Sequence, residues 1–144
     1  MTEHSPDFLR VDIARGENIR AKLNEYALKH GIDRAYVSGA VGSASDFLFN
    51  APDGDSFPIK PVSTPVKGPA EILAFSGEII PKSEMDETMR RIYKDDPYEL
   101  FIHVHAAVAT AGAKVYGGAL VEGLGFRQVT VYLWPLKGPA SKEQ

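Results

Sequence analysis

The chain of 144 residues has no cysteine, one tryptophan and three methionines. Without cysteine there is no disulfide framework and no thiolate chemistry. Long apolar runs are missing too. Nothing approaches the ~18 residues of a membrane-spanning helix, so no membrane association is expected. Nor is there an excess of positive charge: sixteen basic residues face nineteen acidic ones, net −3, and only Arg90, Arg91 and Lys94 cluster. A domain that grips DNA by its own surface shows a concentrated positive footprint. Its absence argues against stand-alone DNA binding, although an oligomer could gather scattered charges. The start, Met-Thr-Glu-His-Ser-Pro-Asp, lacks the basic-then-apolar layout of a signal peptide. A cytoplasmic protein is expected.

What is present fits one domain long enough to bury a core. Residues 8–13 alternate apolar and polar as a half-buried strand does. Arg15-Gly16-Glu17 turns into a helix running to about His30, with Ile19, Leu23, Tyr26 and Ala27 on one face and Gly31 in the C-cap position. Short strands follow at 34–38 and 45–50, separated by a tight turn at Gly39-Ala-Val-Gly42. Residues 51–69 hold five of the ten prolines and are expected to form a loop or an arm. Residues 71–80 are strand-like. Ser83 caps a short second helix with Met85, Met89 and Ile92 on its apolar face, ending at Asp96-Pro97. The last third reads as a meander of strands 99–109, 115–122 and 126–134, with hairpins at 110–114 and at Gly123-Leu-Gly125. Polar tails at 1–7 and 137–144 flank the domain. The expected class is α+β: a largely antiparallel sheet flanked by two helices.

His103-Val104-His105 lies in the first strand of that meander. Side chains two apart on a strand share a face, so both imidazoles project together and could converge on one ion. Leu100, Ile102, Val104, Ala106 and Val108 form one face of this strand; Phe101, His103, His105, Ala107 and Ala109 form the other. Both faces are largely apolar, so the second should also be covered, by a helix, the proline-rich arm or another copy of the chain. A hairpin centred on Gly112 sets His105 opposite Ala119 and His103 opposite Val121. A second, centred on Leu124, would bring Val129 beside Ala119 and Arg127 beside Val121.

Two readings of this patch stay open. One is a metal or anion site with Arg127 as charge partner; the other is a pair of sheltered histidines hydrogen-bonded within a subunit contact. Two ligands rarely hold zinc, whose structural sites use four, and the sequence offers no third on this face. His4 and His30 are read as solvated. Gly117-Gly118, inside a strand, marks a close approach by a ligand or a neighbouring subunit. No Ser-His-Asp order and no paired acids are visible, so no catalytic residue is assigned.

Taken in order, Gly16-Glu17, Ser38-Gly39-Ala-Val-Gly42, Glu71-Ile-Leu-Ala-Phe-Ser76-Gly77, His103-Val-His105 and Gly117-Gly118-Ala119-Leu120 resemble the motifs of the PPC domain, "plants and prokaryotes conserved", over about residues 8–134. The resemblance implies a compact domain assembled as a homotrimer. Its plant members follow an AT-hook and serve transcription factors; its bare prokaryotic members are described as candidate DNA-binding proteins. It also implies, for some members, zinc held by the His-x-His pair and the histidine of Gly-Gly-His, in a fold similar to that of the zinc lyase acetolactate decarboxylase. Here that third histidine is Ala119, and no AT-hook is present. The expectation is therefore a non-enzymatic trimeric module, DNA-binding or transcription-associated by resemblance. The alternative is a small-molecule-binding protein or a degenerate metal-dependent enzyme, using His103, His105, Arg127, Gly117 and Gly118 at a subunit boundary. No cofactor is expected; zinc or another divalent ion would bind His103 and His105 only weakly.

Overall fold

The computed structural model describes residues 8–137; both expected polar tails, and His4, lie outside them except for Lys137. Five strands and two helices follow in the order β1 (Leu9–Ala14), α1 (Ile19–Lys29), β2 (Ala35–Pro52), β3 (Pro61–Pro81), α2 (Glu87–Ile92), β4 (Leu100–Thr110) and β5 (Lys114–Pro135). All pairings between strands are antiparallel, in the order β1-β5-β2-β3-β4. The start of β5 also pairs with β4, so β2, β3, β4 and β5 close into a ring that leaves few free edges. The α+β class and the two helices agree with the sequence reading.

Local chemistry explains α1 well. Asn18 caps it, its Oδ1 accepting from Ala21 N at 3.0 Å, as N-cap residues do. Ile19, Leu23 and Ala27 are fully buried and pack the helix against β1, β4 and β5. Gly31 follows at φ 66°, the left-handed turn that glycine takes without strain. The inward row of β4, Leu100 to Val108, is buried as expected. It joins Val11, Ile13, Val37, Ile79, Val129 and Leu133 in one core; full burial of each such side chain contributes roughly 1.5–3 kcal/mol.

Several expectations fail for one reason: glycines read as turns lie within long strands. Gly39 to Gly42 is no tight turn, because β2 continues through it with irregular register against β5. Gly42 has φ 128°, and a side chain there would overlap the Gln128 carbonyl. Gly123-Leu-Gly125 is not a hairpin either: β5 is one strand of 22 residues. Gly123 packs against Phe47 and Ile19, and a Cβ on Gly125 would run into the Ala14 carbonyl. Here glycine allows close packing of neighbouring elements.

The stretch 51–69 proves to be an arm. β2 and β3 extend into it as a long hairpin, with only residues 53–60 outside the strands. Pro61, Pro65 and Pro69 are tolerated because that end of β3 pairs with β2 alone; proline cannot donate to a second neighbour. The second helix begins later than expected. Lys82–Glu84 forms a 3₁₀ turn, and the N-cap of α2 is Asp86, accepting from Met89 N at 2.8 Å.

Candidate functional site: a histidine pair between two clefts

The outward row of β4 runs Phe101, His103, His105. Across β3, Glu78 stands opposite His103 and Ser76 opposite His105; across β5, Ala119 stands opposite His105. The hairpin register read from Gly112 is therefore observed at His105. The paired region ends there, so His103 has no partner at Val121. The strands approach closely at this point. A Cβ on Gly77 would collide with the His103 carbonyl, one on Gly117 would lie 2.5 Å from the Ala106 carbonyl oxygen, and one on Gly118 2.6 Å from that of Asn50. The close approach inferred at Gly117-Gly118 is thus met by β4 and β2 of the same chain.

Phe101 is 1% exposed, covered in part by Tyr93, whose ring centroid lies 5.0 Å away. Its ring stacks on His103 at 4.8 Å, and His103 meets His105 edge-on at 5.2 Å. His103 is half-buried and His105 exposed. Burial, then the neighbouring His105 and Arg20, push the pKa of His103 below the ordinary histidine value, against a weaker opposite pull from Asp86. At neutral pH its imidazole is uncharged: a hydrogen-bonding and ligating group, not a cation.

The pair forms a wall between two clefts. One, of about 360 Å³, lies between α2 and the β2–β3 arm and is mostly apolar, with Ile59, Met89, Tyr93, Gly118 and Ala119 among its lining. The other, of about 400 Å³, opens over Tyr36, Ser76, Glu78 and Leu136. Arg127 belongs to neither. It lies in a separate groove with Ser43, Glu71 and Thr110, because an unbroken β5 carries it past the histidines to pair beside β2. The charge partner expected for the pair is not there. Gly118 does line the first cleft; Gly117 lines neither cleft of the pair. His30 is exposed at the C-cap of α1, its Nδ1 2.9 Å from the Tyr26 carbonyl.

The donor set does not fit the three-histidine centre that the family resemblance implies. Two imidazoles converge, but a methyl group occupies the third position, and no group of three or more His, Asp or Glu side chains gathers among the described residues. The sequence reading also missed a buried polar centre between α1 and the segment that leads into β4. Arg20 is 1% exposed and pairs with Asp96, while Asn24 holds Glu99 and the Leu100 amide. Arg20 and Asn24 stand four residues apart, a polar stripe on α1 beside its apolar one, and that spacing was the available signal.

The chain is thus a ringed antiparallel sheet with a histidine pair on its outer wall. The chain belongs to the Plants and Prokaryotes Conserved (PCC) domain family, which it matches over residues 4–137. No curated protein matches it. Solved structures share its fold. A plant- and prokaryote-conserved (PPC) protein of Pyrococcus horikoshii is 22% identical with a TM-score of 0.72, covering 92% of this chain and 80% of that one. A metal-containing protein of Archaeoglobus fulgidus is 23% identical with a TM-score of 0.72, covering 95% and 84%. A candidate DNA-binding protein of Bacteroides thetaiotaomicron is 12% identical with a TM-score of 0.72, covering 94% and 83%. No helix among the described residues is long and apolar enough to cross a membrane.

Proposed function

We propose that this chain is a non-enzymatic PCC-domain module, assembled as a homotrimer, that binds a small, largely apolar and uncharged ligand against His103 and His105. The observation that carries this reading is the cleft of about 360 Å³ beside the pair, within the size range of small-molecule sites, ~300–1,000 Å³. The polar side chains among its lining are few, His103, His105, Asn50 and Tyr93, and the remaining walls are largely apolar. With His103 held neutral by burial, such a site selects hydrogen-bonding shape over charge.

Trimer formation is supported by the outer surface next to the pair. Tyr36 stands opposite Trp134, Phe8 lies 5.6 Å from the Trp134 ring, and Tyr36, Trp134 and Leu136 are 42–50% exposed. Contiguous apolar surface of this kind marks an interaction site. Light scattering should give three copies per particle; a monomer at micromolar concentration refutes the assembly. For the ligand, NMR titration with phenol and indole should shift the His103 ring protons, and benzoate should not. Silence with the neutral aromatics, or an equal response to benzoate, overturns the site.

A second reading, a DNA-associated role, is favoured by the description of the Bacteroides relative. The chain's net charge of −3 predicts at most weak, salt-sensitive duplex binding. Nanomolar binding at physiological salt would establish that role over the small-molecule one.

A further inference from the structure

The tip of the β2–β3 arm and a cleft beside the β4–β5 hairpin carry matching chemistry. The cleft, about 430 Å³, opens where β3 and the hairpin part beyond the Glu71–Ala109 pair. Pro65, Pro69 and Tyr116 give it largely apolar walls, and Lys67 and Lys114 bring it positive charge; among the described residues no carboxylate lines it. Asp46, on β2, is engaged by the Gly68 amide at 3.1 Å. Both lysines are exposed, and neither has an ion-pair partner among the described residues. In a chain of net charge −3, an unneutralised positive pair beside apolar walls suits an acidic partner that also brings apolar surface.

The arm tip has that composition. Residues 53–60 lie outside the strands and read Asp-Gly-Asp-Ser-Phe-Pro-Ile-Lys. Asp53 and Asp55 are exposed and have no ion-pair partner among the described residues. Phe57 is 85% exposed, more than any other large apolar side chain described. Lys60 alone opposes the two acids. Two hydrogen bonds hold the base of the tip: the Asp53 amide donates to the Lys60 carbonyl at 2.8 Å, and Arg91 of α2 donates to the Ile59 carbonyl at 3.1 Å.

One chain cannot bring its own two parts together. β3 is extended from Pro61 to Lys67, which at ~3.3 Å per residue is roughly 20 Å. With Ile59 fastened to α2, Phe57 cannot fold back over that distance.

We propose that the cleft receives the arm tip of a second copy of this chain. Phe57 enters between Pro65, Pro69 and Tyr116, while Asp53 and Asp55 meet Lys67 and Lys114. Aromatic anchors with a polar rim are the usual centre of a protein interface. The contact joins two different surfaces, so it repeats head to tail and forms a ring where the rotation closes. It rests on the homotrimer proposed above and gives that assembly a specific contact: each protomer inserts one arm and receives another.

Sedimentation and light scattering of the full chain test it. Asp53→Lys with Asp55→Lys should raise the concentration at which the particle dissociates at least about tenfold, and so should Phe57→Ser, each with an unchanged far-ultraviolet circular dichroism spectrum. Adding Lys67→Asp and Lys114→Asp to the first pair should restore assembly. A trimer indifferent to the arm substitutions, or a fourfold variant that stays dissociated, overturns the docking and leaves the trimer reading intact. A monomeric parent chain overturns both.

Discussion

Replacing Ala119 by histidine should complete a three-imidazole zinc site with His103 and His105. Ala119 stands directly opposite His105, where cross-strand Cβ atoms lie ~4.5–5.5 Å apart. His105 in turn lies 5.2 Å from His103, ring to ring. Ala119 borders the cleft of about 360 Å³, so a new imidazole enters existing space and displaces no core side chain. Structural zinc sites with four ligands are worth ~10–16 kcal/mol, or about 2.5–4 kcal/mol for each ligand. At ~1.4 kcal/mol per decade, a third imidazole should tighten zinc binding by roughly two to three orders of magnitude. Competition against a chromophoric chelator at mildly alkaline pH reads this directly, and adding His103→Ala to Ala119→His should reverse the gain. The reasoning fails if Ala119→His binds zinc no better than the parent chain. It fails equally if the parent already holds one zinc per chain tightly enough to survive dialysis.

Three further outcomes follow from the same geometry. Gly77→Ala pushes a methyl group into the His103 carbonyl and should cost about 2–3 kcal/mol, read as a lower urea midpoint at constant m; a neutral effect would contradict the strand spacing. Asp96→Ala strands a buried guanidinium and should cost ~3–5 kcal/mol, with both side chains at most 4% exposed; a loss under 1 kcal/mol by the same assay would show that water screens the pair. The third concerns pH. His103 binds its proton less readily folded than unfolded, so the unfolded chain protonates first as pH falls. The stability this contributes is complete above the ordinary histidine value of ~6.5 and is lost as pH drops from there toward the lowered native value. Urea midpoints measured across that window should show a slope that His103→Gln reduces; an unchanged slope would assign it elsewhere.

Part of this fold is legible in the sequence. The Asn18-to-Gly31 helix, the inward row of β4 and the pairing of His105 with Ala119 each follow from a local signal: a helical period, alternation, a short glycine turn. The failures at Gly39–Gly42 and Gly123–Gly125 share one physical cause. A glycine that permits a sharp turn and a glycine that makes room for a neighbouring backbone look identical in sequence; only the partner strand distinguishes them. The position of Arg127 follows from the same ambiguity, since a hairpin at Gly123–Gly125 would turn it back toward the histidines and an unbroken β5 carries it away. The burial of Arg20 is harder to read, because a polar pair such as Arg20 and Asn24 on a charged helix face is usually solvated. Its burial depends on Asp96, Tyr93 and Tyr98, more than seventy residues away along the chain.

The unbroken β5 also has a consequence for how the protein reaches its native state. It hydrogen-bonds to β1, β2 and β4 yet follows all of them in the chain. During synthesis, therefore, β1 leaves the ribosome with no neighbour and β2 with one side unpaired, until the final strand emerges more than a hundred residues after the first. Such distant pairings slow folding and leave strand edges open to aggregation. Acquisition of this fold is thus governed by its last-made segment, and lesions in β5 should reduce the yield of folded protein more than equal lesions in α1.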